Sequence, residues 1–202
     1  AAYDLHKRGY QVIAGCRKEA DMEVFKQQGI DTVQIDLDDP ISVQTAAEQV
    51  IALTDNHLYA LFNNAGFGNT GLVKDQNLEK IEAMLHLNIE ALTILSTLFI
   101  KDYSDTEGSQ LINVSSVGGY SVVDNNVTYS ATKFYVSAFT EGAAQELKKR
   151  GGKMQVKVLA PAATETEFAN TAMGIDGFDY EKSTPRFHTA KEMAEFLMKL
   201  YE

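Results

Sequence analysis

Tryptophan is absent from the 202 residues, and there are one cysteine, three prolines and four histidines. With Cys16 alone, no intrachain disulfide and no multi-cysteine metal site can form. That fits a reducing cytoplasm, and the thiol reads as a small apolar side chain in a buried strand. His6, His57, His86 and His188 show no paired ligand spacing, so no metal is assigned. No unbroken apolar run approaches the ~18 residues of a membrane helix, and no cleavable signal is visible. Positive charge is in deficit: 18 basic against 28 acidic residues leave a net charge of −10 without a block of like charges. This argues against nucleic acid or an anionic membrane as partner.

A hydrophobic fraction of 45% is ordinary for a globular protein, and the length suits one domain, residues 1–202, with a substantial core. Short β-rich runs alternate with helical patterns, the signature of a parallel sheet covered by helices. Strands are expected near 10–14, 32–35, 58–62, 110–114 and 154–159. Helices are expected near 1–8, 19–28, 39–53, 78–100 and 127–150, the last stopped by Gly151-Gly152. Pro40 suits a first helical position, and Thr189 through Glu192 forms a capping box before a final helix. Residues from about 162 to 188 have no period and read as a substrate loop, with a mobile lid expected over about 167–188.

The run Tyr129-Ser130-Ala131-Thr132-Lys133 begins 13 residues after Ser116. On a helix Tyr129 and Lys133 are i,i+4 neighbours and share a face. An ammonium ~4 Å from a phenol, at an effective dielectric of roughly 20, favours the phenolate by ~4 kcal/mol, about three pKa units. That brings a tyrosine near the working range of a general acid–base catalyst, with a serine hydroxyl at hand to hold the substrate oxygen. The pair alone is not diagnostic, since Tyr3 and Lys7 repeat the pattern in an ordinary amphipathic helix.

Three further pieces stand in order with it: Asn63-Asn64-Ala65-Gly66, Asn88, and Ser115-Ser116-Val117-Gly118-Gly119. Asn88 is a poor helix former in mid-helix, a local misfit of the kind found at functional positions. With these four pieces the chain resembles the short-chain dehydrogenase/reductase superfamily, in its branch of about 250 residues. The resemblance implies a doubly wound parallel α/β sheet of Rossmann type. It implies Tyr129 as acid/base, Ser116 orienting the substrate carbonyl, Lys133 lowering the tyrosine pKa and gripping the nicotinamide ribose, and Asn88 in a proton relay. It also implies a homodimer or homotetramer. Family members begin with a strand and a glycine-rich pyrophosphate turn and end with a further strand. Neither appears here, so the chain reads as truncated at both ends, with roughly 15–25 more N-terminal residues expected in the natural protein.

Cofactor contacts are expected past the C-terminal ends of strands. Arg17 follows the first strand where NAD-preferring members carry a carboxylate, and it suits a 2′-phosphate, so NADP is expected in preference to NAD. Asp36-Leu37 resembles the pair that contacts adenine, and Asn64, Ala65 and Gly66 the turn along the cofactor. Pro161, Thr164 and Thr166 resemble the segment at the nicotinamide carboxamide, although alanine replaces its usual glycine. Gly66 through Gly71 fits G-x-G-x-x-G but is expected to be a decoy, because no helix opens at its end. Val117, Tyr120, Val122, Val123, Phe168, Met173 and Phe178 should wall an apolar substrate pocket. The reading is an NADP-dependent oxidoreductase acting on a small carbonyl or alcohol. The alternative is a non-catalytic dinucleotide-sensing or scaffold protein on the same fold.

Overall fold

In the computed structural model, which describes residues 1–202, strands and helices alternate as the patterning predicts. α1 (Ala2–Lys7), β1 (Ile13–Cys16), α2 (Glu19–Lys26), β2 (Asp31–Gln34) and α3 (Pro40–Leu53) form the first part. β3 (Ala60–Asn63) is followed by α4 (Leu78–Leu85), a π-helical segment (His86–Ala91) and α5 (Leu92–Tyr103). Then come β4 (Gln110–Val114), α6 (Val127–Arg150) and β5 (Gln155–Leu159). The Asp39 side chain caps α3 by accepting from Ile41 N, and Gly151, at φ 77°, ends α6 in the left-handed conformation that glycine favours.

All strand pairing is parallel: β1 with β2, and β3 with β4 with β5. Each strand-to-strand crossover carries helix, the α/β architecture of a Rossmann-like single domain. β1 pairs only with β2, and β3 only with β4, so each keeps a free edge. Between the two lies an apolar slot of about 430 Å³, with 19 hydrophobic residues among its 23, including Ile13, Val33, Leu61, Phe62, Leu92 and Phe99.

Boundaries differ in places. β1 starts three residues later than expected, because only from Ile13 does the chain pair with β2, opposite Asp31, while Tyr10 packs edge-on against Tyr201. The supposedly aperiodic stretch holds β6 (Thr164–Glu165), α7 (Phe168–Met173), α8 (Tyr180–Ser183) and β7 (His188–Thr189) before α9 (Ala190–Tyr201). β6 and β7 pair with each other alone, and the Thr189–Glu192 capping box is formed.

The helical run Leu78–Tyr103 is 26 residues with a mean hydropathy of 1.6 in its most apolar window, long and apolar enough to cross a membrane. Its buried polar residues give another account. Asn88 bonds to Phe67 and Thr132, and Ser96 accepts from Asn63 Nδ2 at 3.0 Å, so the run is pinned into the core. A buried polar seam extends from that point. Asn63 Nδ2 donates to Asn113 Oδ1 (2.9 Å), Asn113 Nδ2 to Thr140 Oγ1 (3.0 Å), and that hydroxyl to Val136 O (2.6 Å). Satisfied networks of this kind fix one arrangement, here the registry of α5 and α6 over β3 and β4.

Candidate active site

Ser116 and Tyr129 come together across Gly118. A Cβ there would lie 3.5 Å from Ser116 Oγ and 3.8 Å from Tyr129 Cε1, in ordinary contact with both. The loop that carries Ser116 is pressed onto α6 through its neighbours. Ser115 Oγ donates to Lys133 O (2.9 Å) and meets Ser137 Oγ (2.8 Å). A Cβ at Gly119 would collide with Ser115 Oγ and the Lys133 carbonyl, so only glycine allows this approach. Ser115 is thus a clip between loop and helix, while Ser116 Oγ accepts from Gly118 N (3.1 Å) and faces the tyrosine. Ser137 was not singled out in the sequence.

Lys133 is 5% exposed, and its Nζ lies 5.8 Å from the Tyr129 ring centroid and donates to Val114 O at 2.9 Å. Burial pulls its pKa from 10.5 to about 8. The Tyr129 phenol moves the opposite way from expectation. Burial pushes it above its ordinary value, opposed by the hydrogen bond with Ser116. The expected three-unit drop assumed a solvated pair ~4 Å apart, whereas here desolvation disfavours both charged forms. Phe168 covers the tyrosine, the ring centroids being 5.4 Å apart.

Asn88, 1% exposed, sits in the π-helical segment. A single π-turn inside an α-helix commonly marks a functional position, and it accounts for an asparagine in mid-helix. Its Oδ1 accepts from Phe67 N (3.2 Å), and its Nδ2 donates to Phe67 O (2.9 Å) and Thr132 Oγ1 (3.1 Å). Thr132 Oγ1 in turn donates to Tyr129 O (2.8 Å), a link from Asn88 to α6 that sequence reasoning missed. A Cβ on Gly66 would stand 3.0 Å from Asn88 Oδ1 and 3.4 Å from Lys133 Nζ, so the turn after β3 lies directly on these two side chains. No helix opens at Gly71, and the next α-helix waits until Leu78.

The remaining residues lie at strand ends. Arg17, exposed and in no ion pair, borders a second cavity of about 410 Å³ with Tyr3, Cys16, Asp21 and Phe25. Asp36 accepts from Asp38 N at 3.1 Å, and Leu37, Asn64 and Ala65 line the apolar slot. Pro161 O accepts from Val117 N (2.9 Å). Thr164 Oγ1 donates to Ala162 O (3.0 Å). Thr166 Oγ1 donates to Thr164 O (3.3 Å) and accepts from Phe168 N (3.2 Å), the first amide of α7.

The profile of a family described as short chain dehydrogenase matches residues 1–173. The uncharacterised oxidoreductase YbbO of Escherichia coli is 34% identical over 170 residues, which are 84% of this chain and 62% of YbbO. The chain therefore spans less than two thirds of that relative's length. An NADPH-dependent 1-acyldihydroxyacetone phosphate reductase of Schizosaccharomyces pombe is 25% identical over 173 residues, 86% of this chain and 57% of the reductase. Among solved structures, a short-chain dehydrogenase from Sphingobium yanoikuyae in complex with NADPH superposes with a TM-score of 0.82 at 26% identity, covering 100% of this chain and 79% of its own. A 3-ketoacyl-(acyl-carrier-protein) reductase from Brucella melitensis complexed with NADH shares the fold, with a TM-score of 0.86 at 24% identity and coverage of 100% and 84%. The chain belongs to the short-chain dehydrogenase family.

Proposed function

We propose that the protein is an NADP-dependent oxidoreductase moving hydride between nicotinamide and a carbonyl or alcohol substrate with an apolar body. The observation that carries this reading is the meeting of Ser116 and Tyr129 at Gly118, over the buried Lys133 amine. The fit of a dinucleotide is supported at Gly66, where a side chain would crowd Asn88 and Lys133, and where Asn64 and Ala65 stand exposed beside it. In this reading Asn64, Ala65 and Gly66 follow the cofactor past β3, and Asp36 and Leu37 meet the adenine. Arg17 meets the 2′-phosphate. Pro161, Thr164 and Thr166 flank the carboxamide, and Lys133 holds the ribose. NADPH in the S. yanoikuyae structure and the NADPH dependence of the S. pombe relative favour the phosphorylated cofactor.

A bound nicotinamide supplies or takes up the hydride. Ser116 Oγ donates a hydrogen bond to the carbonyl oxygen and fixes its position. In reduction, Tyr129 gives its phenolic proton to that oxygen; in oxidation, the phenolate takes the proton back. A charged Lys133 favours the phenolate and offsets the upward push of burial on Tyr129. Asn88, bonded to Phe67 and through Thr132 to the Tyr129 carbonyl, holds the turn after β3 and α6 in one frame and is the natural member of a proton relay. Val117, Tyr120, Val122 and Val123 are exposed apolar side chains on the loop beside Ser116, and Phe168 and Met173 are exposed apolar side chains on α7, which supports an apolar substrate body. Cytoplasmic residence, from the single unpaired thiol, and a homodimer or homotetramer, from family resemblance, complete the proposal.

The test is consumption of NADPH and NADH by the full-length protein with a panel of aldehydes and ketones. Turnover with NADPH favoured is expected. Tight dinucleotide binding without turnover on any carbonyl would favour the non-catalytic alternative.

A further inference from the structure

Lys80 is the third residue of α4, behind the N-cap Asn77, whose side chain accepts from Lys80 N at 2.9 Å. A cation in a first turn stands at the unfavourable end of the helix dipole. Its ammonium leaves that end and reaches α7, donating to Thr171 O (3.1 Å) and Ala172 O (3.4 Å). These are terminal carbonyls of a six-residue helix, where a cation is favourable. Ala172 O also accepts from Thr70 N (3.1 Å), while Thr70 Oγ1 donates to Asn126 Oδ1 (3.0 Å). One threonine therefore joins α7 to the turn after β3 and to the loop before α6.

At its other end α7 lays Phe168 against the Tyr129 ring. The seat for this helix is Gly68: a Cβ there would be 2.9 Å from Phe168 Cζ and 3.2 Å from Ala172 Cβ. The glycine of the decoy G-x-G-x-x-G thus has a use, as the surface on which α7 rests. A helix of six residues is far below the length that holds itself in water, so its order depends on such fastenings.

We propose that Lys80 is the latch of a substrate lid. Its ammonium holds α7 closed over Tyr129, and so governs how firmly an apolar substrate is retained and how fast product leaves. This rests on the oxidoreductase reading of the Tyr129 site. Lys80 touches no reacting atom in that reading; it is a positioning residue, and Gly68 is its counterpart on the other side of the lid.

The test is hydrogen exchange on the full-length protein without cofactor or substrate, for wild type, Lys80→Met, Lys80→Arg and Gly68→Ala. The amides to follow are Thr171 and Ile175, which donate to Glu167 O and Asn170 O. In Lys80→Met they should exchange about tenfold faster, the scale of one charge-assisted hydrogen bond lost, while β4 and α6 stay unchanged. Lys80→Arg should restore protection, and Gly68→Ala should weaken it by lifting the helix off its seat. In turnover, Lys80→Met should raise KM severalfold with kcat unchanged or higher. Unchanged exchange in Lys80→Met overturns the latch, whatever Gly68→Ala does and even in a fully active enzyme. A lid that responds in a protein without any carbonyl turnover keeps the latch and refutes the oxidoreductase reading instead.

Discussion

Replacing Lys133 by methionine should stabilise the folded chain by an amount that shrinks as pH rises. Lys133 is 5% exposed, and its ammonium has one partner, the Val114 carbonyl, and no carboxylate. Burial alone brings its pKa from 10.5 to about 8. Below that value the lysine is charged in both folded and unfolded chains, and the whole penalty of about 3 kcal/mol applies. Between about 8 and 10.5 the folded chain has released the proton while the unfolded chain still binds it, so stability rises with pH. Above the upper value both forms are neutral and the penalty is gone. Methionine keeps the packing of the stem and removes the charge, at the expense of the Val114 hydrogen bond. That loss is a nearly constant offset. In urea unfolding without cofactor, the stability gap between variant and wild type should therefore fall by about 2–3 kcal/mol from about pH 7 to about pH 10. A gap that stays flat across this range would refute the buried, unpaired charge.

The two adjacent serines should separate cleanly. Ser115→Ala removes the clip to Lys133 O and Ser137 and should cost about 1–3 kcal/mol in thermal or denaturant unfolding. Ser116→Ala loses the one bond accepted from Gly118 N (3.1 Å), so it should cost less stability than Ser115→Ala, and it should lower kcat/KM by about 100-fold or more, as loss of a donor to a developing oxyanion does. Equal effects of the two on stability would refute the division of labour. Arg17→Ala should erase a preference for NADPH over NADH of about tenfold or more, read as the ratio of kcat/KM values. An unchanged ratio would remove Arg17 from the 2′-phosphate site.

Much of the regular scaffold was legible in the sequence. β4 and α6 lie where expected, because one is a β-rich run and the other is ended by Gly151. Strand starts were less legible, since pairing decides them: Tyr10, Gln11 and Val12 look strand-like, but their partner begins opposite Ile13. β6 and β7 were invisible because two-residue strands have no period to read, and they exist only by pairing with each other. The π-turn at Asn88 left its trace as a helix-disfavouring residue, and the seam at Asn113 left one as an amide inside an apolar strand. Ser116, Tyr129 and Lys133 were found by spacing, and the structure brings them together. What spacing could not give was desolvation, which moves the Tyr129 phenol upward where pairwise charge arithmetic had it falling. Thr166 shows the same limit: its residue type fits a carboxamide contact, but only coordinates reveal that its hydroxyl accepts from Phe168 N, the first amide of α7.

The most direct test of the central claim is hydride transfer by Tyr129→Phe in the full-length protein, measured in a single turnover with NADPH and a carbonyl substrate that the wild type reduces. The substitution removes one hydroxyl and leaves the ring to pack on Phe168, so folding and NADPH binding should persist. The account predicts a rate at least about 100-fold below wild type, the scale of general acid–base catalysis. Retention of more than about a tenth of the wild-type rate would contradict it.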